Sequence, residues 1–540
     1  MSLLTAAEIK SLRASDRELI RKLETAPPTA KRRLTWRCRE VQHAAKLVSA
    51  GQSGLAKFKK LGEQRGLFDI KLDRRVWHDS DGEKRRFTLA RAASTKMFPM
   101  GTHYWVRDNA IIGAVLTRLD KRRQRDKGRE LLLSGLTFMS SVAQLDRFDS
   151  IVRSTSREFI KKVENWPRIF GAIDDNLITS RLESWAHKQD AWQILVWHVF
   201  DALERGVLQL RDLTPKHRRF LGLIVPFLAK VSFWKAPNSG SWEELEAVRT
   251  SVRAWEHRLI VRLAELAKDR RFKFLTSGYT KNRRYLPTRF RKLDLFGAVV
   301  ILDRQVSSAM LRDLPLECPM YSRSDVRYRG GDATWIYLLE LDYVAFLAER
   351  TGRDRTWIRS MEERLLSEIL ALTDDRSGGI YRYRGDSYQR SGFFRALIVA
   401  KLVKFYGAPS GDASKQFAAR NDIIPAGRQA AWTHFVWQLA TWSGERFLAS
   451  GEARYAKLHD RFFIQGLRLI TGDESSLDID QKGVSRVVRI PKWRMPECYI
   501  ADKTLSGEEI VFPSPHTPLN WAVAEMLNAF KVRAQVLAQR

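Results

Sequence analysis

Tyr104-Trp105-Val106-Arg107-Asp108 stands immediately before Asn109 and the apolar run Ala110-Ile111-Ile112-Gly113-Ala114-Val115-Leu116. The run has helical spacing, so the pentad marks a helix start decorated with aromatic and charged side chains. Related clusters return along the chain: His187-Lys188-Gln189-Asp190, Trp242-Glu243-Glu244, Asp332-Ala333-Thr334-Trp335, Trp432-Thr433-His434 and Thr517-Pro518-Leu519-Asn520-Trp521. Each opens a segment with helical periodicity. If alternate helices start at one end of a closed ring, these clusters converge on one pocket. Aromatic plates beside carboxylates and an arginine are what a sugar ring requires, because its C–H faces stack and its hydroxyls form paired hydrogen bonds, donating to carboxylates and accepting from the guanidinium.

Outward from the pentad, helical spacing dominates. Apolar segments at 107–119, 127–143, 187–205, 215–232, 244–268, 285–303, 333–352, 355–372, 391–406, 428–450, 453–471 and 517–538 repeat at i, i+3, i+4. Strand-like alternation is confined to connections such as Gly379 to Tyr383 and Gly483 to Ile490, with a short stretch around Phe87-Thr88-Leu89 in the lead-in. No fixed-period repeat is present, which argues against a solenoid. The expected fold is all-α: an (α/α)6 toroid over 67–540 with its lead-in, preceded by a helical appendage at 1–66. The decorated starts belong to the first, third, fifth, seventh, tenth and twelfth segments, so the alternation slips near 391–406.

Composition narrows the classes. The 540 residues include 17 Trp and 27 Phe, enough for a large core and contrary to disorder. Cys38, Cys318 and Cys498 have no metal spacing, and so sparse a set fits a reducing compartment. Nothing approaches the roughly 20 apolar residues of a membrane span, and Met1 to Lys10 carries no secretory apolar region. The cytoplasm is the expected location. Neither a metal cluster nor a phosphate-cradling glycine loop is evident, so no cofactor is expected. The net charge of +32 suggests nucleic acid or another polyanion. Its basic residues are nevertheless scattered, as in Lys121-Arg122-Arg123 and Arg270-Arg271, and no nucleic-acid motif accompanies them. A basic solvated surface is the preferred reading.

Five motifs then fall into a familiar order: Trp105-Val106-Arg107-Asp108, Trp242-Glu243-Glu244, Arg382-Tyr383 with Asp386-Ser387-Tyr388, Trp437-Gln438-Leu439-Ala440-Thr441, and Pro496-Glu497-Cys498-Tyr499. Over roughly residues 95–538 the chain resembles glycoside hydrolase family 15, the glucoamylase-like family, which is related to the α and β regulatory subunits of phosphorylase kinase. The resemblance implies an (α/α)6 barrel and an inverting reaction at the non-reducing end of an α-glucoside. It implies Glu243 as general acid, Glu497 as general base, and Arg107 and Asp108 as ligands of the deepest glucosyl unit. Further expected sugar contacts are Trp105, Lys188, Asp190, Trp242, Glu244, Arg382, Trp432 and Tyr499. Two departures stand out: Lys188 and the lack of a nearby proline where the family has a Pro-containing Gln/Asp motif, and a longer stretch between Arg382 and Trp437.

Inversion requires one protonated carboxyl and one ionised carboxylate, roughly 6.5–9.5 Å apart, in unlike environments. Glu243 and Glu244 fall at the start of segment 244–268, where the helix dipole favours ionisation, against the acid role. Considered alone, they would serve as dipole complements and Glu497 as a solvated loop residue. A soluble oligosaccharide or disaccharide is the expected substrate, with no C-terminal starch-binding module expected. Two alternatives remain open from the sequence: a sugar-binding regulatory protein without turnover, and a basic scaffold for an anionic polymer.

Overall fold

In the computed structural model the described residues are 46, 51–70, 77–78, 84–85, 104–162, 165–174, 177–179, 189–238, 240–241, 246–325, 327–384, 386, 430–479, 485–503 and 509–540. The expected helix at 391–406 and the strand at Phe87-Thr88-Leu89 lie outside them. The principal helices are α1 (Gln52–Gln64), α2 (Val106–Arg118), α3 (Arg122–Met139), α4 (Val142–Arg153), α5 (Gln189–Glu204), α6 (Pro215–Val231), α7 (Thr250–Ala267), α8 (Lys273–Asn282) and α9 (Leu295–Asp313). They continue with α10 (Ile336–Glu340), α11 (Tyr343–Thr351), α12 (Arg355–Leu370), α13 (His434–Ser450), α14 (Ala453–Arg468) and α15 (Asn520–Gln539).

Six of these close a ring. Helix α2 packs on α5, α5 on α7, α7 on α10, α10 on α13, α13 on α15, and α15 back on α2. A second layer surrounds it: α3 lies on α2, α9 on α7, α11 and α12 on α10, and α14 on α13 and α15. Helix α6 packs between α3 and α9, and α1 lies on α15. This is an (α/α)6 toroid. One internal cavity confirms that the inner helices share an axis, because its lining includes Val115, His198, Trp255, Tyr337, Thr441 and Glu525, one residue from each.

Local chemistry explains the layers. Helix α2 is buried from Val106 to Thr117, with Asp108 in its first turn and Arg118 in its last, each the sign the dipole prefers. It meets α3 at Gly113 and Gly128, where a methyl on Gly128 would come within 2.6 Å of the Gly113 carbonyl oxygen. On α1, Phe58 is fully buried between Trp493 and Phe530, with ring centroids at 5.6 and 5.5 Å. Burial of one such side chain contributes about 1.5–3 kcal/mol.

Two boundaries differ from the sequence expectation. Segment 333–352 is not one helix: it breaks at Asp342, whose φ of 49° is left-handed. Its first part, α10, is in the inner ring, and its second part, α11, in the outer. One segment thus supplies both layers. Segment 244–268 becomes helical only at Thr250. Before it, Ala247 forms a bridge with Asn238, and Arg249 is extended at φ −111°. Strands β1 (Tyr104–Trp105), β2 (Phe170–Asp174) and β3 (Leu177–Thr179) form a small sheet beside the start of α2. Strands β4 (Ile380–Tyr381), β5 (Ala430–Trp432), β8 (Cys498–Lys503) and β9 (Glu509–Pro513) form a four-stranded sheet in the order β9-β8-β5-β4, and β6 (Glu474–Ile479) pairs with β7 (Ser485–Ile490).

Candidate functional site

The inner helices all start at one end of the ring, and side chains there form a continuous polar network. Arg107, on the first turn of α2, donates from Nη1 to the Ser241 carbonyl at 2.6 Å, and its Nη2 lies 3.5 Å from Asp108 Oδ2. Ser241 Oγ donates to Asp190 Oδ2, on the first turn of α5, at 2.7 Å. All four residues are buried. Burial alone would lower the Arg107 pKa, but the charges of Asp108 and Asp190 outweigh it and hold the guanidinium firmly charged. Its face lies 5.2 Å from the Trp521 ring centroid at the start of α15. Trp521 stacks in turn on His434, at the start of α13, with centroids 4.1 Å apart. Burial, then the charge of Arg107, drives the His434 pKa well down, so the imidazole is neutral.

The network leaves acceptors open. Among the described residues, Asp190 Oδ1 and both ring nitrogens of His434 are buried without a hydrogen-bond partner. A buried carboxylate oxygen without a donor costs on the order of 1–3 kcal/mol or more, unless a ligand supplies the donor. A sugar hydroxyl is one such donor.

The four-stranded sheet brings Glu497 to the same end. Cys498 pairs with Trp432 across β8 and β5, and the Thr433 amide donates to the Glu497 carbonyl at 3.2 Å. Glu497 therefore stands beside the residue that opens α13, and it is partly exposed, whereas its neighbours Pro496 and Cys498 are buried. Arg382, just after β4, forms a two-bond pair with Asp386 at 2.8 and 2.6 Å, both buried. Its guanidinium is 5.6 Å from the Trp432 ring centroid. The Cys498 thiol, pushed up by burial, also feels Glu497, Asp386 and Arg382, which places these charged groups in one neighbourhood.

Of the residues expected from sequence, Trp105, Arg107, Asp108, Asp190, Arg382, Trp432 and Glu497 cluster around the inner-helix starts. Tyr499 does not serve that pocket: its hydroxyl donates to the Leu469 carbonyl at 3.1 Å and ties β8 to the end of α14. Lys188, Trp242, Glu243 and Glu244 lie outside the described residues, although the flanking Ser241 belongs to the network. Because α7 starts at Thr250, Glu243 and Glu244 precede it by more than a helical turn of sequence. The expected conflict between an acid role for Glu243 and the dipole of that helix is removed.

Ser241, His434, Trp521 and Asp386 complete the cluster without having been singled out as ligands. His434 and Trp521 were visible at decorated helix starts; Ser241 carries no signal of its own beyond preceding Trp242. Glu317 is a further buried carboxyl near these starts. It accepts from Ser251 N, Ser251 Oγ and Trp335 Nε1 at 3.1, 2.6 and 3.0 Å, and burial followed by repulsion from Asp332 pushes its pKa up to about 8. Its oxygens are occupied in fixing the starts of α7 and α10.

No family model matches the sequence, and no curated protein matches it. The solved structures similar to the chain include two glucoamylases. The glucoamylase of Hormoconis resinae is 12% identical, over 90% of this chain and 74% of that one, with a TM-score of 0.45. The glucoamylase of Saccharomycopsis fibuligera is 14% identical, over 84% and 90%, with a TM-score of 0.43.

Proposed function

We propose that the chain is an inverting glycoside hydrolase that releases glucose from the non-reducing end of a soluble α-glucoside. The observation that carries this reading is the Arg107–Ser241–Asp190 network, with an unused buried oxygen on Asp190. Arg107 and Asp190 would hold sugar hydroxyls through charge-assisted bonds, and Trp432 would supply an apolar face. Ser241 lies two positions before Glu243, so the proposed acid follows directly from the sugar-binding network. Glu497, partly exposed at the same end, suits a base that activates water. In the reaction Glu243 donates its proton to the leaving oxygen, while Glu497 takes a proton from water attacking C1 on the opposite face. The bond from C1 to the leaving oxygen breaks as the water oxygen bonds to C1, which inverts the centre.

A panel of maltooligosaccharides, isomaltose and trehalose tests the substrate class by glucose release, alongside calorimetric binding of a glucose-mimicking iminosugar. Release from at least one α-glucoside, with iminosugar binding that Asp190→Asn weakens, is the expected result. Binding without release from any of them would favour the regulatory reading and overturn catalysis. Salt-sensitive polyanion binding without sugar binding would favour the scaffold.

A further inference from the structure

Beneath the candidate pocket, along the axis of the toroid, the helices enclose a second polar space of about 100 Å³. That exceeds the roughly 10–15 Å³ needed for one water, so it accommodates several waters or a small molecule. Tyr337 and Trp521 separate it from the network above. The Trp521 ring faces Arg107, while its indole N–H donates to Glu525 below at 3.0 Å. Tyr337 feels Arg107 and Asp190 on one side and Glu340 and Glu525 on the other.

The lining is acidic. Glu340, Glu445 and Glu525 come from α10, α13 and α15, and Arg118 from the end of α2. Arg118 is already engaged, its Nη2 lying 3.2 Å from Asp201 Oδ2. Among the described residues Glu340 and Glu445 have no hydrogen-bond or ion-pair partner, and both are exposed to solvent. Tyr337 OH, Gln438 Oε1, Thr441 Oγ1, His198 Nδ1 and Trp255 Nε1 line the same space, buried and without partners among the described residues. The first four can accept a hydrogen bond, and Trp255 can only donate. The rings of Trp197, Trp255 and Tyr337 complete the wall.

We propose that this space is a binding site for a small organic cation, a protonated amine of a few heavy atoms. Carboxylates and unpaired acceptors take up ammonium N–H groups, and aromatic faces attract the charge. Among the described residues no group of three His, Cys, Asp or Glu side chains could hold a metal ion. The net charge of +32 repels amines from the molecule at large, which makes a local acidic cavity selective. The proposal is independent of any sugar reaction.

Binding should release protons. Burial raises the pKa of Glu525 to about 7, and the protein packed around the solvent-accessible Glu340 and Glu445 raises theirs as well, with mutual repulsion adding to the effect on Glu340 and Glu525. Arg118 lowers all three, Lys531 lowers Glu445, and His198 stays neutral with its pKa pushed down to about 3 by burial and then Arg118. A bound cation ionises the carboxyls and expels their protons.

The test is calorimetric titration of the full chain at pH 7 with 1,3-diaminopropane, n-propylamine and, as neutral analogue, 1-propanol, in two buffers of different ionisation heat. Expected are saturable one-site binding of the amines, no binding of propanol, and heats that differ between buffers. Glu445→Gln or Glu340→Gln should weaken the diamine about tenfold, while Glu497→Gln leaves its binding unchanged. Both cavity variants replace solvent-accessible side chains, and circular dichroism is used to check that they fold. Absence of saturable amine binding overturns the proposal. So does equal binding of propanol, full affinity in both cavity variants, or a loss confined to Glu497→Gln.

Discussion

The two ends of one barrel solve the burial of charge differently. At the mouth, charged groups are matched pair by pair: Arg107 is held by Asp108 and Ser241, and Arg382 by Asp386. At the far end, Glu340 and Glu445 have no such partners, and Arg118 is shared with Asp201. The same helices build both ends. Helix starts adjoin non-helical segments such as Ser241, Arg382 to Asp386 and Glu497, and these bring fixed donors and acceptors to the mouth. Positions deeper in a helix mostly face side chains of other helices, as Glu340, Glu445 and Glu525 do around the shared cavity. Pre-positioned pairs suit recognition of a neutral ring with directional hydroxyls, whereas unpaired carboxylates suit a mobile cation.

The sharpest way to break the comparison is to remove the mouth's proposed chemistry alone. Glu497→Gln and Glu243→Gln should each lower kcat by at least about 10²–10⁴-fold, the usual contribution of a general acid or base, with circular dichroism unchanged. A near-normal rate in either would remove that residue from its role.

Next comes the matched pairing itself. Arg107→Met leaves Asp108 and Asp190 buried without their cation and should cost about 3–5 kcal/mol in denaturant unfolding. If the loss is under 1 kcal/mol (roughly the value of an exposed pair), the network does not act as a buried unit.

The far end should respond to pH. Burial raises the Glu525 pKa from 4.5 to about 7, so the folded state retains a proton that the unfolded chain gives up. This group's contribution is fully present below about pH 4.5 and is lost as pH rises towards 7, up to about 3 kcal/mol. Wild type should therefore lose stability over that window more steeply than Glu525→Gln. Parallel unfolding free energies across pH 4.5–7 would show that the carboxyl titrates normally.

The smallest effect belongs to the outer surface. Lys121 and Glu63 are 2.7 Å apart, but their side chains are 64% and 44% exposed. Lys121→Ala should change unfolding free energy by less than about 1 kcal/mol, and by less still in high salt.

Much of the mouth was legible because aromatic and charged residues recur where alternate apolar segments begin. What the sequence concealed came from distant partners. The start of α7 looked like Trp242-Glu243-Glu244, since apolar spacing runs back through Leu245 and Val248. The helix begins instead where Glu317 receives its first amides: Thr250 N donates to the Glu317 carbonyl at 2.9 Å and Ser251 N to its carboxylate. A cap supplied from so far along the chain leaves no local signature. Asp342 likewise reads as an ordinary helical residue, yet its left-handed backbone sends one segment into two layers. Tyr499 shows the limit of reading a motif as a unit, because successive strand residues face opposite ways and its hydroxyl faces α14 rather than the mouth. The far-end carboxylates were invisible for a simpler reason: at helical spacing, Glu340, Glu445 and Glu525 resemble solvated surface charges until the ring closes around them.

The most direct test of the central claim is the anomeric configuration of the first product. Proton NMR recorded during early hydrolysis of an α-linked glucoside, before mutarotation equilibrates the sugar, reads it from the anomeric doublet. Inversion predicts β-glucose, formed by attack of a water that Glu497 activates on the face opposite Glu243. Initial release of α-glucose would contradict it.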